Sequence, residues 1–472
     1  MKKLTITLLI FSLILSSCKK VFNDKDINTN PNTVTDVDVK TLLAGTMLGV
    51  AFLHEDTDVR IASIWAGELN GLARAHLGFA QYIVSSQSFS WGNLYGVASQ
   101  ARLIQIKADE LGEKRIKGVA QILEAMLIAK ATALYGDVPY SQAFDRLQHP
   151  NPVFDTQINV YASLQNTLSN AIANLSATTG LAFAQQDFIY QGNTTKWIAA
   201  AYSLKARLFL HTAQYNLAAT NAALGIASTS GDALVPHGTS QGVNTNQNYD
   251  FFRVSRVGDT GFENTYLRTL LQSRINSTNT KTNETALQNH FIKVGITAPN
   301  SLDANTSDGA FMVDAPHPLI TYYETQLILA EAEARLGNIN QALGSLNMVR
   351  LGLASGYING KTFTTVGRLY SPYFISDFAV AGMANPTNAP TTQAAILYEI
   401  ISQRYIILLM QYEAFNDYRR LASALPITQL PIPLYFGVKK PQRFIYPQAE
   451  INSNINAPFT SPDQFTKVAV FP

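Results

Sequence analysis

The sequence is poor in charged residues. Only 14% of its 472 residues are Asp, Glu, Lys or Arg, whereas a typical soluble domain has about one-quarter. So little charge excludes a disordered chain and a coiled coil. The formal net charge is +2, and no stretch concentrates the excess, which excludes a basic surface for nucleic acid.

Long apolar runs are also missing. No run of 18 apolar residues follows Leu15, which excludes a polytopic membrane protein. Asparagine is about as frequent as Asp and Glu combined, and 10% of the residues are aromatic. This composition fits a surface that meets neutral polar partners. The length favours either two or three domains or one large helical body with insertions.

Cysteine occurs only once, at Cys18, so neither an internal disulfide nor a thiolate zinc site is possible. The seven histidines do not form the H-E-x-x-H zinc pattern, and the sequence lacks a phosphate-binding loop of the G-x-x-x-x-G-K type. We therefore expect no metal site, no cofactor and no catalysis.

The N-terminus has the order of a bacterial lipoprotein signal. Lys2 and Lys3 precede an apolar run from Leu4 to Leu15 that is too short to span a bilayer. Small residues then precede Cys18, as in a lipobox. This predicts a signal peptide over residues 1–17, acylation of Cys18, and a lipidated tether over 18–36. The alternative is an ordinary secreted protein with an incidental cysteine.

Apolar residues at three- and four-residue spacing predict helices over much of the chain after Val37. The predicted segments are about 93–112, 115–135, 157–176, 196–213, 215–227, 321–336, 338–351 and 394–421. Gly112, Gly136 and Gly337 stand where helix ends favour a left-handed residue.

Small residues recur in two of the predicted helix pairs. Ala330, Ala334 and Ala342 belong to one pair, and Ala218 and Ala222 to the other. Such residues let paired helices lie close together, as in tetratricopeptide hairpins. We predict a mostly α fold with few, short strands and four such hairpins, at about 93–135, 157–227, 321–351 and 394–421. Generic hairpin packing is the alternative.

Two long stretches, about 228–320 and 355–392, lack helical periodicity and are rich in Asn, Thr, Gly and Ser. Loops of this length in a compact domain are usually functional. We interpret both as insertions that form a ligand face on a single domain over 37–472. The alternative is a tetratricopeptide-type adaptor in which residues 228–320 are a floppy spacer.

Five aromatic residues are candidate ligand contacts: Trp65, Tyr82, Trp91, Tyr249 and Phe251. The first three lie in a stretch rich in Gly, Asn and Ser. Aromatic faces stack on sugar rings, and amides hydrogen-bond to sugar hydroxyls. Such a site needs no charge. The alternative is that these rings are core, and one of Trp91 and Tyr95 is expected to be buried.

One catalytic pattern does occur. Residues 238–242 match G-x-S-x-G around Ser240, and Asp308, Asp314 and His317 follow in the chain order of α/β hydrolases. The motif works only on a sharp turn between a buried strand and a helix. The polar run after Gly242 is a poor helix start, so we interpret the motif as a polar loop rather than an esterase site. A surface glycosidase would need two carboxylates that face one cleft.

The acidic cluster His54-Glu55-Asp56-Thr57-Asp58 could offer oxygen ligands to calcium, but it lacks the glycine-bearing twelve-residue loop. We interpret it as a solvated turn with a helix cap at Asp58.

Several local patterns occur in the order of a known family. They are the lipobox with Cys18, Ile27–Asn32, Leu134–Ala143, Leu329–Ala334, Gln403–Tyr405, Glu413–Arg420, and Arg443–Glu450 followed by Asn452, Asn454 and Asn456. With them the chain resembles, over nearly its whole length, the SusD/RagB-like nutrient-binding outer-membrane lipoproteins, in particular a second SusD-like branch.

The resemblance implies a protein without enzymatic activity that is anchored by lipid to the outer membrane and caps a TonB-dependent SusC-like barrel. Such a protein binds oligosaccharides or peptides on its irregular insertions and passes them to the barrel, which its four tetratricopeptide-like units face. Lys19 and Lys20 stand where surface-exported members often carry acidic residues, which leaves the periplasmic leaflet open beside the expected cell surface. No motif transfers a ligand-contacting aromatic residue. The low charge favours a neutral or weakly charged glycan, with a peptide as the alternative.

Overall fold

The computed structural model describes residues 37–275, 277–424, 426–434, 437, 439–458 and 460–471. The predicted signal peptide, Cys18 and the tether over 18–36 lie outside the described residues.

Helices dominate the fold. They are α1 (Val39–His54), α2 (Thr57–Trp65), α3 (Arg74–Ala80), α4 (Gly92–Leu111), α5 (Lys114–Tyr135), α6 (Gln157–Leu175), α7 (Thr194–His211), α8 (Tyr215–Ala223), α9 (Gln247–Tyr249), α10 (Tyr266–Ser273), α11 (Thr285–Phe291), α12 (Tyr322–Arg335), α13 (Ile339–Ala354), α14 (Thr392–Ile407), α15 (Glu413–Arg420) and α16 (Gln448–Ser453). A π-helical turn, Asp250–Ser255, continues α9.

The strands have two to four residues and pair antiparallel. They are β1 (Asn70–Gly71), β2 (Val138–Pro139), β3 (Phe154–Asp155), β4 (Ala233–Val235), β5 (Thr260–Gly261), β6 (Thr282–Glu284), β7 (Ile292–Val294), β8 (Leu302–Ala304), β9 (His317–Ile320), β10 (Tyr357–Ile358), β11 (Lys361–Thr362) and β12 (Arg368–Tyr370). The pairs are β1–β5, β2–β3, β4–β9, β6–β12, β7–β8 and β10–β11. The prediction of a mostly α fold with few, short strands is confirmed.

Local sequence explains where the helices begin and end. At the start of α6, the Thr156 side chain accepts a hydrogen bond from the backbone N–H of Asn159. At the end of α4, Gly112 adopts a left-handed conformation with φ 72°. The helical segment predicted over 394–421 forms two helices, α14 and α15, rather than one continuous helix. Met410 has φ 60° between them, and its backbone N–H donates to the buried Glu68 carboxylate.

Helix α5 runs through the core and packs against α4 and α6. It is long and apolar enough to cross a membrane, but its most apolar stretch is completely buried inside the protein, as in a core helix. Gly118 permits a close approach to α6, because a Cβ there would lie 2.7 Å from Leu175. The buried ammonium of Lys130 is neutralised by Asp56 at 2.8 Å.

Adjacent helices pack as predicted for hairpins, with α4 against α5, α7 against α8 and α12 against α13. Ala206, Ala218, Ala222 and Ala332 are buried together where α7, α8 and α12 meet. Their small side chains allow this close packing. The assignment of the hairpins to tetratricopeptide-like units stays a prediction.

The two predicted insertions are joined to each other and to the helices. Strand β6 of the first insertion pairs with β12 of the second. Arg350 on α13 is fully buried, and its guanidinium donates to the carbonyl oxygens of Lys281 and Ser371, one from each insertion. The same guanidinium lies 3.6 Å from the ring centroid of Tyr373.

Replacing Arg350 with alanine should therefore loosen both insertions together. We expect Arg350→Ala to lower the free energy of unfolding by about 3–5 kcal/mol, because the buried polar groups around it lose their partner. Chemical unfolding measures the loss. Lys117→Ala is the control, because it breaks only the ion pair with the exposed Asp109 and should cost about 0–1 kcal/mol. Equal losses in the two variants would contradict this role.

Buried histidines predict a loss of stability in acid. Burial lowers the pKa of His54 to about 3, with a further contribution from Lys130, and burial lowers the pKa of His290 to about 4. An unfolded chain binds these protons near pH 6.5. The free energy of unfolding should therefore fall as the pH drops from about 6.5 to 4, by on the order of 3 kcal/mol from His290 alone.

Unfolding across that pH range should show a shallower fall for His290→Gln than for the unchanged protein. His149→Gln, at a part-exposed position, is the control. Identical pH slopes for all three proteins would refute the assignment to His290.

Candidate functional site

A cleft of about 480 Å³ opens between α1, the start of α2 and residues 235–255 of the first insertion. We name it the insertion cleft. It combines apolar walls with a small number of polar side chains, which is the usual character of a ligand pocket.

The apolar wall comes from two residues of α1. Leu48 and Phe52 are four residues apart, so they lie on the same helical face. They are 54% and 55% exposed. Opposite them, the Arg60 guanidinium carbon lies 4.4 Å from the centroid of the Phe251 ring. This cation–π contact fixes the position of both side chains.

The polar base is centred on Glu55, which is fully buried. Its carboxylate lies 3.0 Å from His237 Nε2 and accepts a hydrogen bond from the backbone N–H of Gln247 at 3.3 Å. Arg60 Nη1 donates to the Glu55 backbone carbonyl at 2.9 Å. These contacts tie the first insertion to the junction between α1 and α2, and so they shape the cleft.

Two buried atoms of the cleft residues lack a hydrogen-bond partner within the protein: the Arg60 Nε–H donor and the Asp250 Oδ1 acceptor. The other Asp250 oxygen accepts a hydrogen bond from the Thr245 hydroxyl at 2.6 Å. An unpaired buried polar group costs about 1–3 kcal/mol. Among the residues that line the cleft, Arg60 and Asp250 together leave one donor and one acceptor without a protein partner.

The five sequence-predicted aromatic residues do not form one surface. Trp65, Tyr82, Trp91 and Phe251 are only 1–6% exposed, and Tyr249 is part-buried. Of the five, only Phe251 lines the insertion cleft. In this conformation the two tryptophans and Tyr82 are buried, as the core alternative expects, and their role as ligand contacts stays a prediction.

The physical reason is aromatic packing in the core. Trp65 meets Phe415 and Phe444 with ring centroids 5.7 and 5.2 Å away, and its indole N–H donates to the Phe79 carbonyl. Trp91 packs against Tyr135 at 5.0 Å. The ring partners Phe415, Phe444 and Tyr135 lie 44 to 379 residues away in the sequence, so local spacing does not reveal them.

The interpretation of residues 54–58 as a solvated turn capped by Asp58 is wrong. The cap of α2 is Asp56, whose carboxylate accepts from the Val59 amide at 3.1 Å. Its neighbour Glu55 is buried because His237 and Gln247 cover it. Leu48, Phe52 and Arg60 were also missed, and the only sequence signal for them is the apolar pair at i and i+4.

Ser240, Asp308 and Asp314 of the hydrolase-like pattern each contact a different partner rather than one another. Ser240 sits in an exposed turn and its backbone N–H donates to Asn244. The carboxylate of Asp308 pairs with Lys293, and that of Asp314 pairs with Lys361. The strand–turn–helix context that the motif requires is not formed around Ser240.

A larger cleft of about 860 Å³ lies on the helical side, among α6, the C-terminal ends of α7, α12 and α15, and Ala469–Val470. We name it the scaffold cleft. Its charged groups are already paired. His211 bridges the Tyr161 hydroxyl and the Glu413 carboxylate at 3.0 and 2.8 Å, and Arg335 and Arg420 both contact Glu331.

The electrostatics of the scaffold cleft follow from these pairs. Burial alone would raise the pKa of Glu413, but His211 and Arg207 hold it well below its usual range. The carboxylate is therefore ionised and committed to its protein partners. The insertion cleft, which keeps an unpaired donor and acceptor, is the better candidate for a small polar ligand.

Comparisons with known proteins agree with this architecture. Residues 31–447 match the model of the second SusD-like family, which is described as starch-binding and associating with the outer membrane. No curated protein matches the sequence at a significant level.

Solved structures share the fold. A SusD/RagB family protein from Bacteroides thetaiotaomicron is 22% identical, with a TM-score of 0.64 over 89% of this chain and 95% of the other. A SusD homologue from Parabacteroides distasonis is 16% identical, with a TM-score of 0.66 over 88% and 93%. A chitin-binding SusD homologue from Flavobacterium johnsoniae is 18% identical, with a TM-score of 0.64 over 91% and 98%. The family match covers most of the sequence, and the solved structures share the overall fold: the chain belongs to the SusD-like family, which is described as starch-binding and associating with the outer membrane.

Proposed function

We propose that this protein is a cell-surface lipoprotein that binds a neutral oligosaccharide in the insertion cleft and delivers it to a TonB-dependent SusC-like transporter. The family supplies glycan binding and outer-membrane association. The sequence supplies the lipobox and Cys18 for the anchor. A protein held by lipid alone has no pore, so a ligand captured outside the membrane needs a transporter to enter the cell.

The observation that carries the proposal is the combination of groups in the insertion cleft. Phe52 offers an exposed ring for the apolar face of a sugar, while Arg60 and Asp250 offer an unpaired donor and acceptor. A sugar ring combines an apolar face with hydroxyls that both donate and accept, so its chemistry matches these three kinds of group.

Charge favours a neutral glycan over an acidic one. Glu55 and Asp250 line the cleft together with a single arginine, Arg60. A polymer that carries many carboxylates or sulfates needs several unpaired cations. We accordingly propose a neutral or weakly charged ligand and a protein without catalytic activity.

Two alternatives differ from this proposal in a testable way. A peptide also donates and accepts hydrogen bonds, so the insertion cleft suits it chemically. A tetratricopeptide-type adaptor would need no ligand face and would leave residues 228–320 as a spacer. The strand pair β6–β12 and the contacts of Arg350 argue against a spacer.

Binding to arrays of glycans and peptides tests the ligand class. We expect neutral glycans to bind and Phe52→Ala to weaken that binding about fivefold to tenfold, because it removes one stacking contact worth about 1 kcal/mol. Asp250→Asn should also weaken binding, since it weakens the acceptor and keeps the shape.

The matched control is Phe374→Ala, because Phe374 is 64% exposed and lies outside the insertion cleft. Binding of peptides alone would overturn the glycan proposal. Glycan binding that Phe52→Ala and Asp250→Asn leave unchanged would place the ligand elsewhere on the protein.

Purification in mild detergent tests the partner. We expect a much larger β-barrel protein to accompany the full chain, and we propose that it docks on the helical side around the scaffold cleft. Ile158 lies in that cleft and is 61% exposed, so Ile158→Asp should reduce recovery of the barrel without unfolding the chain. Ile455→Asp, at a position 85% exposed outside the cleft, should leave recovery unchanged. Recovery of the unchanged chain only as a monomer after crosslinking would refute the partnership.

A further inference from the structure

A small cavity of about 40 Å³ lies behind the insertion cleft, between residues 246–248 of the first insertion and the β10–β11 hairpin of the second. We name it the amide cavity, because Asn248 and Asn359 both line it. Each of these side chains has a buried carbonyl oxygen, Oδ1, that accepts no hydrogen bond from the protein. The two oxygens come from different insertions.

The position of Asn359 follows from the turn that carries it. Asn359 and Gly360 join β10 to β11 with φ values of 48° and 84°. Two successive left-handed residues form the tight hairpin turn for which Asn-Gly is the preferred sequence. The Asn359 amide nitrogen donates to the Ile407 carbonyl at 3.4 Å, so the side chain is anchored at the edge of α14.

Asn248 lies on the other side of the cavity, and a hydrogen bond fixes its backbone. It is 2% exposed, and its backbone N–H donates to the Asn246 side chain at 2.8 Å. That same Asn246 side chain donates to the Ala315 carbonyl at 2.7 Å. Within the protein, each amide oxygen therefore carries the cost of an unpaired buried acceptor.

The geometry points to a buried water site: we propose that the amide cavity binds ordered water that donates one hydrogen bond to Asn248 Oδ1 and one to Asn359 Oδ1. A water molecule has two donor hydrogens, which matches the two acceptors. The cavity has room for at least one water, and its polar partners meet the requirement for a stable buried water.

Water fits this cavity better than a metal ion. No carboxylate occurs among its described lining residues, and its lining includes the ammonium-bearing Lys361, which pairs with Asp314 at 2.8 Å. A nearby positive charge opposes a bound cation. Burial lowers the pKa of His290 to about 4, so this lining imidazole is neutral at pH 7 and adds no charge.

The site bears on ligand binding because residues 245–251 separate the two spaces. Thr245, Gln247, Asp250 and Phe251 line the insertion cleft, while Asn246 and Asn248 line the amide cavity. Bound water would thus hold the wall that carries Asp250 and Phe251 against the second insertion. This consequence rests on the proposed function, whereas the water site itself does not.

The test combines a crystal structure that shows ordered solvent with a double-mutant cycle on the full chain. Asn248→Leu removes one acceptor. Asn359→Gly removes the other and suits the left-handed backbone. If water bridges the two amide oxygens, Asn359→Gly should change the unfolding equilibrium constant at least fivefold less in the Asn248→Leu protein than in the unchanged protein. Solvent density should lie within hydrogen-bond distance of both oxygens.

The control is Asn388→Gly, which makes the same change at an exposed asparagine with φ 49° outside the cavity. Its effect should add to that of Asn248→Leu. The proposal is overturned by additive effects of Asn248→Leu and Asn359→Gly, by solvent density that reaches only one oxygen, or by an amide orientation in which the two side chains bond to protein instead.

Ligand affinity separates this inference from the proposed function. Asn359→Gly should weaken glycan binding severalfold, although residue 359 lies outside the insertion cleft. If no glycan binds the unchanged protein, the proposed function fails, and the solvent density and the mutant cycle still decide the water site.

Discussion

Buried charge joins the helices that form the centre of this protein. Arg207 on α7 pairs with Glu324 on α12, and Arg404 on α14 pairs with Asp417 on α15, each at 2.6 Å. Arg420 then links α15 back to Glu331 on α12. A single buried charge without its partner costs several kcal/mol. These helices therefore have to be in place together, although their residues are up to 213 positions apart.

This pairing also distinguishes the two clefts. On the helical side, the charged groups next to the larger cleft are used to hold helices together. In the insertion cleft, Glu55 is used in the same way, but Arg60 of α2 and Asp250 of the first insertion keep atoms without partners. The charged groups beside the scaffold cleft are thus paired within the protein, while two residues of the insertion cleft keep unused hydrogen-bonding capacity.

Much of the fold could be predicted because helix formation depends on neighbouring residues. The predicted helix over 115–135 corresponds to Lys114–Tyr135, and the one over 157–176 to Gln157–Leu175. The break at Met410 could not be predicted, because it depends on a hydrogen bond to Glu68, 342 residues away. Of the candidate cleft, the sequence indicated only the part that the first insertion lines, through Phe251. The sequence around Trp65 and Trp91 is rich in Gly, Asn and Ser, which suggested a ligand-binding stretch. The two rings are buried because they pack against residues distant in sequence, such as Phe444 and Tyr135.

The sequence by itself determined the helical class and the family, because periodicity, composition and ordered motifs are local properties of the chain. Only the tertiary structure decided which side chains are accessible. Glu55 belongs to an acidic cluster that looks solvated in the sequence, yet it is buried because His237 reaches it from 182 residues away. Phe52 belongs to an ordinary amphipathic helix, yet it stays 55% exposed at the mouth of the insertion cleft. The burial of a side chain depends on the whole tertiary structure, because residues distant in sequence cover it.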